Sequence, residues 1–551
     1  MAFHVPRTGM QTMMKKGTRY LEGKEEVVYD SISTIKELGD TVKTAYGPYG
    51  MNKIVQNHIE KIFLTSDAAT MIRELEIKHP AAKMVVMAAH QQEEEAGDGT
   101  NGVVILTAAI LAEAEYLLRM GLAVPEVVSG LNVALEHARQ QLETLSVHNV
   151  ALDKLRDIDA VAYAIKSSLM SKQYGAEEFI AKLVATACVN TLPKDAIRFN
   201  VDDIRVCKIL GSTLENSRII PGMVFKRYVD SEIKNVKDAK VVMFNCPLDN
   251  LQTETKGTVL LKDAQELKDF TKSEENMLKN AVQSIKDSGA QVVVCGGKIS
   301  DLGLDYANQF GLMVVRLTSK WDMRRLAKSI GATVLPRLAP PTPDEMGFCD
   351  NVKVEEIGDT RIVSFQRDTS RLSTIVLRSG TNNVLEDLER AVDDAVNNFK
   401  LLTKDKRLVP GAGAVEVELS QRLAKKAEQC PGMEQYGINC LAKAYESIPR
   451  QLAENSGQDP SKVISKLLAA HSASEGETIG INVDNDGELI DAAEAGILDH
   501  ILIKDWQVRL AVTTAITILR VNQIIMAKTA GGPKAPSQRK GHWDDDHDDI
   551  E

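Results

Sequence analysis

The spacing of apolar residues changes period twice along this chain, and that change limits its possible folds more than any single motif does. From about Glu25 to Tyr46, Ile32, Ile35, Leu38 and Val42 recur at helical spacing, and helical patterns continue to about Asn190. In the centre, short apolar runs at 241–244, 292–295 and 313–316 alternate with helical stretches such as 274–288, which predicts an α/β unit. A further strand at 373–378 leads to Gly380 and a helix expected to be capped by Asn383, with Glu386 three residues on. Beyond Lys400 the pattern is helical again. A chain of 551 residues exceeds what one hydrophobic core supports, so roughly three or four domains are expected.

Aromatic residues supply only 5 % of the chain, so Ala, Val, Ile and Leu must carry the burial, a mixture that favours helices packed on small sheets. The net charge is −11 and no basic stripe interleaved with aromatics is present, which argues against nucleic acid as a partner. Seven widely scattered cysteines contain no C-x-x-C pair and resemble neither a zinc site nor a disulfide framework, so a reducing cytoplasmic setting is expected. The first residues lack an apolar signal region, and no apolar run approaches the roughly 20 residues that cross a bilayer, so no membrane association is expected.

Several turns stand where chemistry could sit. The first helix runs into Gly47-Pro48-Tyr49-Gly50, and strands at 53–56 and 61–64 then predict a hairpin. Thr65-Ser66-Asp67 supplies cap residues for a helix beginning near Ala68. A helix starting at Pro80 can end at Gly97, after which Asp98-Gly99-Thr100 opens another that runs to Met120. Two helix ends therefore share one loop. No Walker A pattern is present; residues 17–24 come nearest, with wrong spacing and Glu25 where Ser or Thr is required.

Each turn has two readings. The Gly47 turn is either a backbone phosphate cradle or a plain helix stop. Asp98 is either a cap or a carboxylate placed for Mg²⁺ before a helix N-terminus that attracts phosphate. Asp67 suits an ordinary cap, and Asp394 lies off the stripe of Leu388, Val392, Ala395 and Phe399, where a solvated face is the ordinary reading. Residues 410–414, Pro-Gly-Ala-Gly-Ala, form a second glycine turn before a helix. Residues 248–273 are polar and Lys-rich and read as an exposed excursion from the α/β unit. The tail from 529 to 551 reads as disordered, with His542 and His547 in a solvated acidic run.

Taken in order, T-A-Y-G-P-Y-G-M-N-K from Thr44, T-S-D-A-A-T from Thr65, G-D-G-T-N from Gly97, V-P-G-A-G-A from Val409 and L-A-E-N-S-G from Leu452 resemble group II chaperonins. These are the archaeal and eukaryotic cytosolic ring chaperones, and the resemblance covers essentially the whole chain. It implies a multidomain α and α/β fold. A mostly helical equatorial domain would take 1–150 and 405–528, an intermediate domain 151–217 and 370–404, and an α/β apical domain 218–369, with a helical lid protrusion near 248–273. Many relatives carry Asp, Gly and Thr at the positions of Asn52, Ala68 and Asn101, which disfavours the archaeal homo-oligomeric pattern. The resemblance then implies a hetero-oligomeric double ring with seven paralogous subunits, and unfolded client proteins of the actin and tubulin kind.

It also implies ATP and ADP as ligands, with Mg²⁺ on Asp98. Tyr46, Gly47, Gly99, Thr100, Asn101 and Gly102 would surround the phosphates, and Asp67 and Asp394 would be the hydrolytic carboxylates. Lys172, beside Met170 and Ser171, would sense the γ-phosphate; Gly411 would lie in the second nucleotide turn and Asp499 would hold the ribose. Asn101, Gly102 and Ala412 depart from common family residues, so a mainly structural subunit with slow hydrolysis is the alternative. Left-handed geometry at Ala412 would cost about 1–2 kcal/mol relative to glycine.

Overall fold

The computed structural model describes residues 19–21, 24–149, 152–249, 263–472, 476–485 and 487–526. The returning helical period has a spatial cause: residues before 146 and after 408 share one hydrophobic core. Helix Thr100–Arg119 runs through its middle, against helices Lys24–Lys43, Pro80–Glu95, Glu434–Tyr445 and Ile501–Leu519. By length and composition that helix could cross a bilayer. Here Val104, Leu106, Ile110, Leu111 and Ala114 are instead buried among its neighbours.

A second core joins helices Ile158–Met170, Glu177–Thr191 and Asn382–Lys404 to strands Ile204–Leu210 and Ser373–Ser379. Phe199 and Phe399 meet edge to face inside it at 4.9 Å between ring centroids. The last helix is capped at Thr381 rather than at Asn383, which already lies inside the helix. Strand Ser373–Ser379 pairs with Ile204–Leu210 and with Arg218–Phe225 and continues into a nine-stranded mixed sheet.

At the far end of that sheet, Asn235–Phe244, Val292–Cys295 and Met313–Arg316 run parallel. Their side chains alternate strictly: Val241, Met243, Val292, Val294, Met313 and Val315 enter one core, and Val242, Phe244, Val293, Cys295 and Val314 enter another. Both faces are covered, which is why these strands read as unbroken apolar runs. Met323, Leu326 and Ile330 of helix Lys320–Ile330 are core residues of the first face.

The expected excursion is narrower than its sequence suggested. Leu248 is buried and bridges to Ile299, and a helix already runs from Ala264 to Asp287. Residues 250–262 lie outside the described residues, as does the tail with His542 and His547. Short strands gave no readable period, among them Arg407–Pro410, which pairs with Leu498–His500 and His148–Asn149. That small sheet fixes Asp499 opposite Val409.

Candidate functional site

Two helices begin at one cleft. Helix Thr100–Arg119 starts after Gly99 at φ 81°, and helix Ala414–Gln429 starts after Gly413 at φ 81°. A Cβ at Gly99 would stand 2.8 Å from Ile503 Cγ2, so both the conformation and the space call for glycine there. Neither helix start has a side-chain cap, which leaves first-turn N–H groups without a side-chain acceptor at each. Gly99 to Gly102 on one side and Ala412 and Gly413 on the other line one cleft. The Gly47 turn forms a third wall. Asn455 holds it, donating to the Lys43 and Tyr46 carbonyls at 3.0 and 2.7 Å.

The floor of the cleft is charged and lies where the two cores meet. Lys172, just past the end of helix Ile158–Met170, donates to Asp394 Oδ2 and lies 4.0 Å from Asp67 Oδ1. Asp67 caps the helix Ala68–Glu74, accepting from Thr70 N and Oγ1 at 2.9 and 2.8 Å, and takes the Thr100 hydroxyl at 2.7 Å. Burial disfavours its charge, but the Lys172 ammonium and these donors outweigh that and hold its carboxyl below the ordinary range. Asp98 and Asp394 go the other way. Burial pushes both up, each repels the other carboxylates, and Lys172 offsets this only in part. Burial likewise opposes charge on Lys172, yet Asp394, Asp67 and Asp98 keep it firmly protonated.

Buried Asp67 and the partly buried Asp98 and Asp394 thus share one ammonium beside two helix N-termini. The donor set fits a hard divalent cation at Asp98, whose Oδ1 also accepts the Gly99 N–H at 2.7 Å.

Of the residues expected at the site, Tyr46, Gly47, Asp67, Asp98, Gly99, Thr100, Asn101, Gly102, Met170, Ser171, Lys172 and Asp499 all line this cleft. Asp394 does not; it reaches Lys172 from behind and lines a second cleft with Asp67, Thr70 and Arg390. It is part-buried and ion-paired, so the solvated-face reading fails. Gly411 is also off the wall, its N–H bound to the Ile497 carbonyl at 2.8 Å, while Ala412 and Gly413 take the wall positions. Asn101 lines the cleft with its amide already engaged: Oδ1 accepts Ala68 N at 2.6 Å and Nδ2 donates to the Ser66 carbonyl at 3.0 Å.

Sequence reasoning missed Lys504 and Gln507. Lys504 pairs with Glu416 at 2.6 Å and Asp499 at 3.0 Å, and Gln507 fills the space beside Gly102. A lysine directly after the apolar run Ile501-Leu502-Ile503 was the available cue, since such a position, if buried, needs partners.

A helical base split in sequence, a connecting body and an α/β body, with carboxylates gathered at the seam, define a chaperonin architecture. The model of the TCP-1/cpn60 chaperonin family matches residues 38–529, and the chain belongs to that family. Similar proteins include T-complex protein 1 subunit theta of Homo sapiens, 53 % identical over 553 aligned residues covering all of both chains. The same subunit of Mus musculus is 52 % identical, also over the full length of both. The probable T-complex protein 1 subunit theta of Schizosaccharomyces pombe is 47 % identical over 99 % of this chain and all of that protein.

Proposed function

We propose that this chain binds and hydrolyses ATP as one subunit of a cytoplasmic hetero-oligomeric double ring with seven paralogous subunits. Turnover would drive closure around unfolded clients, including actin- and tubulin-like proteins. One arrangement carries this reading: two uncapped helix starts open on the cleft that Asp67 and Asp98 line, with Asp394 behind Lys172, where separately cored bodies join. We assign 1–150 and 405–528 to the equatorial domain, 151–217 and 370–404 to the intermediate domain, and 218–369 to the apical domain. Most residues of each of three cores fall within one of these assignments, with Leu408 and Leu498 packing in the second core and Leu372 in the third.

Mg²⁺ held by Asp98 would neutralise charge on the phosphate oxygens. The chain does the rest. The backbone N–H groups of the Gly99 and Gly413 helix starts receive the phosphates, and Asp499 holds the ribose. Asp394, whose carboxyl burial pushes up, suits the acceptance of a proton from water. Asp67, held ionised, orients that water. Lys172 belongs to the intermediate domain and can follow the terminal phosphate, so its loss on hydrolysis would loosen the seam.

Asp394→Ala within the assembled ring is expected to slow this subunit's hydrolysis by about 10²–10⁴-fold. The committed Asn101 amide and the left-handed Ala412 favour a second reading, a subunit that binds nucleotide and seldom hydrolyses it. Unchanged turnover in Asp394→Ala supports that alternative. A native mass no larger than the 60.4 kDa chain would defeat the ring in either form.

A further inference from the structure

One carboxylate joins both bodies at the rim of the cleft. Asp484 Oδ1 accepts the Tyr174 hydroxyl at 2.6 Å and the Tyr49 hydroxyl at 3.0 Å, and the two rings stand 5.4 Å apart between centroids. Tyr174 follows Lys172 by two residues on the loop after helix Ile158–Met170. Tyr49 lies in the Gly47 turn, and Asp484 in the turn between strands Ile479–Ile481 and Leu489–Asp491. Their neighbours Pro48, Val483 and Lys172 all line the cleft, so the three residues sit on its rim.

We infer that Tyr174, Asp484 and Tyr49 form a latch that closes the mouth of the cleft and holds the Lys172 loop in place, making Tyr174 and Asp484 positioning residues for turnover. This rests on the nucleotide reading above.

The two base-side partners are anchored. Asn455 fixes the Gly47 turn, the Asn482 side chain accepts the Asp484 N–H at 3.0 Å, and Gln458 donates to the Asn482 carbonyl at 2.6 Å. On its other side the loop is tied within its own body, Gln173 donating to Asp387 at 2.6 Å. The Tyr174–Asp484 bond therefore joins the loop to the opposite body on the solvent side. Hydrogen bonding to Asp484 and burial push both phenol groups up, so both remain donors throughout the neutral range. Tyr49 is 44 % exposed and Tyr174 40 %, so water can replace these bonds when the latch opens. Such a latch is weak enough to cycle.

The test uses the full chain in its assembled ring, with peptide-resolved amide hydrogen exchange on the nucleotide-free particle and release of fluorescent ADP. Tyr174→Phe and Asp484→Ala, which removes the acceptor, are each expected to raise exchange across residues 171–176 and to speed ADP release from this subunit about 5–30-fold. The double variant should be no faster than the faster single one, because both changes remove the same bond. The thermal midpoint should not move. Unchanged exchange in both variants overturns the latch, whatever the nucleotide does. Raised exchange with unaltered ADP release and KM overturns the positioning role. If neither the wild type nor any variant binds fluorescent ADP at this subunit, the nucleotide reading fails and the gating role with it, while the exchange data still report on the latch.

Discussion

Two buried lysines of this molecule have similar surroundings and different situations. The side chains of Lys172 and Lys504 are 9 % and 11 % exposed, and each is held by carboxylates. The partners of Lys504, Glu416 and Asp499, belong to the same helical base, Glu416 on helix Ala414–Gln429 and Asp499 on strand Leu498–His500. The partners of Lys172 are divided, with Asp394 on its own body and Asp67 on the base. The same ion-pair chemistry therefore fastens one core internally and couples two cores at the seam.

Truncating each lysine should separate the two roles. Lys504→Met leaves buried Glu416 without its cation, and Asp499 without it at the cleft wall, and is expected to cost about 3–5 kcal/mol, read as a lower denaturant midpoint for the chain. Lys172→Met should cost clearly less, because bodies that can part admit water to the exposed carboxylates. Equal losses would break the comparison, since the seam would then behave as rigid core.

A smaller effect should appear in the pH dependence. The folded-state pKa of Asp394 is raised, by burial first and by Asp98 and Asp67 beyond what Lys172 offsets, so the folded state binds its proton more tightly than the unfolded chain. The associated stability is present below the ordinary carboxylate range, around pH 4, and is lost as pH rises through the raised value. Asp67 has the opposite sign; its stabilisation is lost as pH falls through its lowered value. Lys504 is raised well above the ordinary lysine range, so this lysine contributes no slope near neutrality. Thermal midpoints of wild type and Asp394→Asn should diverge as pH rises from acid toward neutral, with the variant flatter. Parallel profiles would show that Asp394 does not titrate differently in the folded protein.

Much of this organisation was legible in the sequence because it is local. The Asp67 cap, the Pro80 helix start and the Gly97 to Thr100 junction follow from cap and turn chemistry, and all are present. The parallel strands were readable because burial on both faces leaves an unbroken apolar run. What depended on distant partners was not readable from pattern. Asp394 lies off its helix's apolar stripe, and only Lys172, 222 residues away, explains its burial. Its assignment to the site came from the family resemblance. Lys504 had no such guide. The three-stranded sheet that holds Asp499 uses strands too short to show a period.

The smallest expected effect concerns the base alone. Ala412 adopts φ 53° in a turn whose next residue, Gly413, is also left-handed. Its carbonyl accepts the Ile481 N–H at 3.0 Å, and its methyl group packs so close to Gly480 that a Cβ there would lie 2.7 Å away. Left-handed backbone costs an alanine about 1–2 kcal/mol. Glycine would remove that strain but adds about 0.4–1 kcal/mol of unfolded-state entropy to be overcome. Ala412→Gly should therefore stabilise the base by roughly 0.5–1 kcal/mol, the difference of those terms. Ala412→Val should destabilise it, because a β-branched side chain tolerates positive φ less well. A rise in the thermal midpoint of the nucleotide-free chain for glycine and a fall for valine would place the strain in the backbone of this turn. A fall for both would mean that methyl packing against the Gly480 strand outweighs it. In that case the second glycine turn is held by its contacts, as the Lys504 cluster is, and stores no strain that nucleotide could release.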